Sequence, residues 1–311
     1  MKKTIMWALT YRCNMNCDYC YLKNSEKLRK KELEADEYMQ VAEKICNAKD
    51  WIPDIVWLTG GEATLNPLLD QLIIKFEANG IKTGVSTNGY MSKAVADKLI
   101  NAKPRGINIS LDFTNEKNDV LRGNTTEVIE TLQYISKHKD NYTILGASVV
   151  LTNENIPHLY EMALSFREMG IEYISLNPHF NMEGESRFIS EAYSEQIAKI
   201  KKNNTIKLPG DAYLDLLEKH YSKNDYDYIE CPATKDYMFI APWGHIYPCS
   251  NEFWHAVDFK EDIHILSNDD IRQDFKLLQA NTAFEKFSTN AKCFNARCIG
   301  CWKLYMDDVY A

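Results

Sequence analysis

The chain has no apolar run approaching the ~20 residues that a bilayer crossing needs, although 45% of its 311 residues are hydrophobic. No membrane-spanning helix is expected from it. It has no excess of basic residues: 36 Lys and Arg stand against 44 Asp and Glu, a formal charge of −8. That balance suits solubility and speaks against a broad nucleic-acid-binding face. It has no low-complexity tract and no repeat of fixed sequence. The opening MKKTIMWALTYRC lacks the long apolar stretch and the small-residue cleavage site of a secretory signal. It reads instead as the first strand of a cytoplasmic protein. Evenly spread cysteines are lacking too. The nine thiols are bunched at 13, 17 and 20 and again at 231, 249, 293, 298 and 301, with Cys46 between. Disulfide scaffolds are short and secreted, which this chain is not expected to be. The two bunches are therefore read as metal ligands.

What the chain does have is a repeated pattern. Strands are expected at 3–9, 54–60, 82–89, 106–112, 143–152 and 171–177. Between them lie helical stretches, the first at 32–48 with Tyr38, Val41, Ala42 and Ile45 on one face. Asn66 with Pro67 reads as a helix start, and Gly170 as a helix end. Six strand–helix units imply a parallel sheet. They are too few for a closed eight-stranded barrel, so the fold class is α/β, a partial (β/α)6 barrel. Such folds keep their chemistry at the carboxyl ends of the strands. The distinctive loops fall there: CNMNCDYC after the first strand, GGEATLNP after the second and STNG at the end of the third. After KKNNT (201–205) the alternation stops and aromatics and cysteines become dense. The expected division is a barrel over 1–205 and a small Cys-rich domain over 206–311.

Three thiols in eight residues, Cys13, Cys17 and Cys20, make an incomplete ligand set. A structural zinc site closes with four ligands, so zinc would need a distant His or Cys. A four-iron cluster is held by four thiolates. With three, one iron is left for a ligand that is not protein.

Cys13-x3-Cys17-x2-Cys20, with the aromatic Tyr19 before the last cysteine, resembles the signature of the radical SAM superfamily. The resemblance spans about residues 4 to 180. It implies a [4Fe-4S] cluster whose open iron binds S-adenosylmethionine (SAM). An electron from the cluster then cleaves the sulfonium, and the 5′-deoxyadenosyl radical takes a hydrogen atom from the substrate. It implies a flavodoxin or ferredoxin-type reductant as partner. Other positions resemble the family's cofactor contacts. Gly60, Gly61 and Glu62 match the motif that receives the methionine ammonium, its glycines allowing close backbone approach. Tyr19 matches a cofactor-binding position, and Ser86 and Asn88 match polar SAM contacts at the third strand. Ser110 and Asp112 match positions near the ribose, and Arg122 a partner for the carboxylate. Read without the resemblance, GG after a strand is a turn and an Asp at a strand end is a helix cap.

The C-terminal bunch resembles the twitch domain, the short form of the SPASM extension of these enzymes. Hydrophobic DYMFIAP, a turn at Trp243-Gly244 and then HIYPC read as a hairpin ending in a thiolate. The resemblance implies one auxiliary [4Fe-4S] cluster on Cys231, Cys249, Cys298 and Cys301. A zinc site of four thiolates is the alternative. Cys293 is a spare thiol, a replacement ligand, a hydrogen donor that quenches a substrate radical, or simply a buried small residue. Cys46 reads as packing. A fully ligated auxiliary cluster suits electron acceptance in a net oxidation, or it staples the domain.

Family members of this kind act on peptides, proteins or small molecules. Two substrates stay open here: a ribosomally made peptide that is oxidised, cross-linked or epimerised, and a small polar metabolite such as an aminoglycoside precursor. Many peptide-modifying members carry an N-terminal recognition domain, and a cluster loop beginning at residue 13 leaves no room for one, which lowers the peptide reading without removing it, since recognition can be supplied in trans. Polar candidates at the substrate end are Asn177, His179, Glu183 and Arg187. His179 is a candidate base because His titrates near neutrality, or a solvated loop residue. A third reading, a metal-stapled binding protein without catalysis, sits badly with an incomplete ligand set.

Overall fold

The computed structural model describes residues 3–20, 22, 30–49, 51–179, 191–223, 236–247, 250 and 263–280. Strand β1 (Thr4–Ala8) sets the pattern. Ile5 and Trp7 are fully buried on one side. Trp7 stacks on Tyr38 at 5.7 Å and meets Phe76 edge-on at 6.5 Å. Those partners belong to helices α1 (Ala35–Cys46) and α2 (Leu69–Ala78), which lie on that side. Helix α1 buries Tyr38, Val41, Ala42 and Ile45, the face expected from their spacing. Its start is closed by Glu34 and Glu37 in a reciprocal capping box. Cys46 packs partly buried against the same core.

The chain continues as β2 (Ile55–Thr59), β3 (Lys82–Thr87), α3 (Lys93–Ala102), β4 (Gly106–Ser110), α4 (Lys117–Leu121), α5 (Thr125–His138), β5 (Ile144–Leu151), α6 (Leu159–Glu168), β6 (Tyr173–Pro178) and α7 (Glu191–Lys202). The six strands pair in chain order, all parallel. Sequential order with right-handed crossovers puts the helices on one face. On β4 and β5 that face carries Ile107, Ile109, Leu145, Ala147, Val149 and Leu151, all fully buried. Toward the carboxyl ends the alternate positions, Ser110, Ser148 and Val150, are only half-buried, while Asn108 nearer the middle is buried. The opposite face is thus the open, polar interior expected of a partial barrel.

The strands run as foreseen to within a few residues. The helix start at Asn66 comes two residues late. Asn66 Oδ1 does accept the Leu68 N–H at 2.9 Å, but α2 begins only at Leu69. A 3-10 turn at Ala63–Leu65 occupies the approach to it. Regular structure also continues past 205. Helix α8 (Asp211–Lys223) buries Tyr213, Leu214 and Leu217. The hairpin is present as β7 (Tyr237–Ile240) and β8 (Ile246–Tyr247), with Gly244 in its turn at φ 80°. Strand β7 pairs parallel with β1, so this hairpin extends the barrel sheet at its free edge. On the interior face Ala8, Tyr237, Phe239, Ala241 and Trp243 form a second, smaller apolar cluster. Among the described residues no helix is long and apolar enough to cross a membrane.

Helix α9 (Ile271–Ala280) is fastened to α1 by charge. Lys44 Nζ lies 2.5 Å from Asp274 Oδ2, with the two side chains 7% and 0% exposed. It also donates to the carbonyls of Ile265 and Asn268. Removing one partner of a buried pair leaves a charge that water cannot reach. Lys44→Met should lower unfolding free energy by about 3 kcal/mol at neutral pH in denaturant titration. Burial already raises the Asp274 carboxyl, against the pull of Lys44. Without Lys44 it stays above its unfolded value. The loss should therefore be full at neutral pH and shrink in acid, where Asp274 takes up its proton.

Candidate active site

The β1–β2 ladder does not stop where the strands end. Leu9 N–H donates to Thr59 O at 2.8 Å, Gly61 N–H to Thr10 O at 2.7 Å and Glu62 N–H to Arg12 O at 2.9 Å. Two backbones therefore run against each other as far as Cys13. Only glycine fits there. A Cβ on Gly60 would sit 2.3 Å from Thr10 O, and one on Gly61 would sit 2.5 Å from Arg12 O. The close approach that these glycines allow is to the cysteine loop itself. The approach is also braced from the side, since Glu32 Oε1 accepts from Thr10 Oγ1 at 2.7 Å and from Tyr11 N–H at 2.9 Å.

Cys13 is exposed, and Cys17 and Cys20 are half-buried. The loop aims donors at the first sulfur: Met15 N–H at 3.4 Å and the Asn88 side-chain amide at 3.7 Å. Donors of this kind suit a thiolate more than a thiol. Burial nevertheless pushes the Cys13 and Cys17 thiols up from their ordinary range. A bound cation would be needed to draw off those protons. Three thiols in one loop, with donors aimed at a sulfur and a backbone turn from Cys20 N–H to Cys17 O at 3.2 Å, supply the donor chemistry of an iron–sulfur cluster, although among the described residues no three His, Cys, Asp or Glu side chains are gathered into a metal-holding group.

Glu62 is 1% exposed. Its Oε1 accepts from Thr64 N–H at 3.0 Å, Thr64 Oγ1 at 2.7 Å and Thr87 Oγ1 at 2.7 Å, while Oε2 accepts from Asn88 N–H at 2.6 Å. The carboxylate thus welds the turn after β2 to the end of β3. Burial raises its pKa, against the pull of the Asn88, Thr64 and Thr87 donors. Ser86 Oγ accepts from Trp57 Nε1 at 2.7 Å. Asn88 Nδ2 also donates to Asn14 Oδ1 at 2.8 Å, joining the cysteine loop to β3. Of the expected contacts, Gly60, Gly61, Glu62 and Asn88 thus gather beside the loop, while Ser86 is held by Trp57.

The positions on the other side are joined differently. Asp112, expected near a ribose, is fully buried. It is paired with Arg122, expected to meet a carboxylate, at 2.7 Å and 3.1 Å, and with the hydroxyl of Tyr19. His179 meets the Tyr19 ring edge-on at 5.4 Å. Ser110 pairs in register with Ser148, whose hydroxyl accepts from Asn177 Nδ2 at 3.0 Å. Glu183, Arg187, Cys231, Cys249, Cys293, Cys298 and Cys301 lie outside the described residues. Residues that sequence reading missed are Glu32, Thr87 and Asn118. Asn118 Oδ1 takes the Asp112 N–H at 2.9 Å. Thr87 was within reach, since it sits between Ser86 and Asn88; nothing local marks the other two.

The family model described as the radical SAM superfamily matches residues 7–166. The chain belongs to the radical SAM superfamily. Enzymes of this superfamily use a [4Fe-4S] cluster and SAM. AlbA of Bacillus subtilis (strain 168), described as an antilisterial bacteriocin subtilosin biosynthesis protein, is 26% identical over 316 residues. The match covers 95% of this chain and 66% of AlbA. Mycofactocin maturase MftC of Mycolicibacterium smegmatis is 30% identical over 163 residues, 51% of this chain and 40% of MftC. The chain thus spans just under two thirds of AlbA and two fifths of MftC. The crystal structure of Streptococcus suis SuiB superposes with a TM-score of 0.71 at 18% identity, over 93% of this chain and 68% of SuiB. SuiB has also been solved with S-adenosylmethionine and with its precursor peptide SuiA. These superpositions establish a shared fold.

Gly61→Ala tests the backbone contact. Its Cβ would also lie 2.7 Å from Tyr11 O, so the cysteine loop must move. The variant should reconstitute with well under half the wild-type iron in a colorimetric iron assay, and unfold about 2 kcal/mol more easily.

Proposed function

We propose that the chain is a peptide-modifying radical SAM enzyme that oxidises, cross-links or epimerises a precursor peptide. The observation that carries this reading is the cysteine loop: three thiols with N–H donors aimed at a sulfur, locked by backbone contact to Gly60–Gly61 and side by side with Glu62 and Asn88. Cys13, Cys17 and Cys20 would hold the cluster, which supplies the electron that cleaves SAM to a 5′-deoxyadenosyl radical. In this reading Glu62 Oε2, facing only the Asn88 N–H among the described residues, has acceptor capacity left for the methionine ammonium. Arg122 spends Nε and one Nη2 proton on Asp112 and keeps donors for a carboxylate. Ser86 and Ser110 lie on the open face. The bacteriocin-biosynthesis relative, similar over nearly all of this chain, favours a peptide over a small metabolite.

An auxiliary [4Fe-4S] cluster on Cys231, Cys249, Cys298 and Cys301 completes the proposal, together with the division at residue 205. So do a flavodoxin or ferredoxin-type electron donor and a cytoplasmic setting. His179, beside Tyr19, is the candidate base, and Cys293 the candidate hydrogen donor. Changing Cys13, Cys17 and Cys20 together to Ala should remove about four irons per chain and all 5′-deoxyadenosine formation. Persistent SAM cleavage in that variant would exclude the assignment. Changing Cys298 and Cys301 to Ala should spare SAM cleavage while product is lost.

A further inference from the structure

Asp112 sits where a strand end meets the cysteine loop, yet it turns nothing toward open space. Its side chain is 0% exposed and that of Arg122 is 9% exposed. Oδ2 accepts from Arg122 Nε at 2.7 Å and from the Tyr19 hydroxyl. Oδ1 accepts from Arg122 Nη2 at 3.1 Å and from Val150 N–H at 2.8 Å. A carboxylate offers about four lone-pair positions, and this one fills them within the protein. No position is left for a ribose hydroxyl. The backbone of Asp112 is held as tightly. Its N–H meets Asn118 Oδ1 at 2.9 Å and its carbonyl accepts from Asn155 Nδ2 at 3.3 Å.

The same region grips the cysteine loop twice, at consecutive residues. Asp18 N–H donates to Leu121 O at the end of α4 at 2.8 Å, and Tyr19 donates its hydroxyl to Asp112. The Arg122 guanidinium lies 5.4 Å from the Tyr19 ring centre, a cation–π distance. Residues 18 and 19 are the two that separate Cys17 from Cys20.

We propose that Asp112 is a positioning residue and not a cofactor contact: through Tyr19 it anchors the segment between Cys17 and Cys20, and it neutralises Arg122 beside them. The proposal rests on the reading that these cysteines hold a cluster. A preorganised loop keeps its iron longer, and this effect needs no SAM.

The test is iron release from reconstituted protein to a ferrous chelator without SAM, with the cluster midpoint potential and the KM for SAM measured in parallel. Tyr19→Phe keeps the ring and the Asp112–Arg122 pair and removes only the hydroxyl. It should release iron roughly tenfold faster, the scale of one hydrogen bond to a charged group, with the KM for SAM unchanged. Asp112→Asn leaves Arg122 uncompensated and should also move the potential to more positive values. If Asp112→Asn does not fold, Tyr19→Phe decides alone. Wild-type release rates without SAM, combined with a raised KM for SAM, would overturn the proposal and make Asp112 a cofactor contact. Wild-type protein that takes up no iron would overturn the cluster reading itself, a failure visible before any variant is made.

Discussion

Everything at the candidate site depends on two backbones lying in direct contact beyond the ends of β1 and β2. The hydrogen bonds from Gly61 to Thr10 and from Glu62 to Arg12 extend a parallel ladder into what would otherwise be two independent loops. Loops are ordinarily the mobile part of a fold. Here the ladder fixes the backbone as far as Arg12, the residue before Cys13. The requirement is steric before it is chemical, because any Cβ at Gly60 or Gly61 would overlap a carbonyl of the cysteine loop. Preorganisation of this kind places a site more accurately than loop chemistry alone can.

Around that contact the protein buries charge in two different ways. Asp112 is neutralised by an ion pair with Arg122. Glu62 is buried among uncharged donors from Thr64, Thr87 and Asn88. The second arrangement leaves a net negative charge that burial penalises, and its pKa rises accordingly. A cationic group arriving at Glu62 would relieve the penalty, which suits a residue meant to receive an ammonium. The first arrangement is complete in itself and suits a strut. The same physics separates the two carboxylates that the family resemblance had grouped together as cofactor contacts.

Much of the frame was legible in the sequence because it follows from periodicity. The buried face of α1 is the one its spacing announces, and the strands of a parallel sheet read as apolar runs. The motifs were legible too, but not their partners. Tyr19 and Asp112 are 93 residues apart, and Thr10 and Glu32 are 22 apart. No local pattern marks such pairs; only the barrel brings them together. GG after β2 pointed to close approach, yet the approaching chain is the cysteine loop. Asn66-Pro67 carried a helix-start signal that the 3-10 turn and the later start at Leu69 displaced, since capping signals place boundaries only to within a few residues. Helix α8 carries its apolar face on only Tyr213, Leu214 and Leu217 among the described residues, too short a stripe to stand out from the aromatic-rich sequence around it.

The measurement that tests the central claim most directly is iron and sulfide content of the anaerobically reconstituted wild-type chain, followed by 5′-deoxyadenosine formation with SAM and dithionite. About eight irons per chain, four for each of two clusters, with 5′-deoxyadenosine formed, is the expected result. Absence of both iron and 5′-deoxyadenosine would contradict the account.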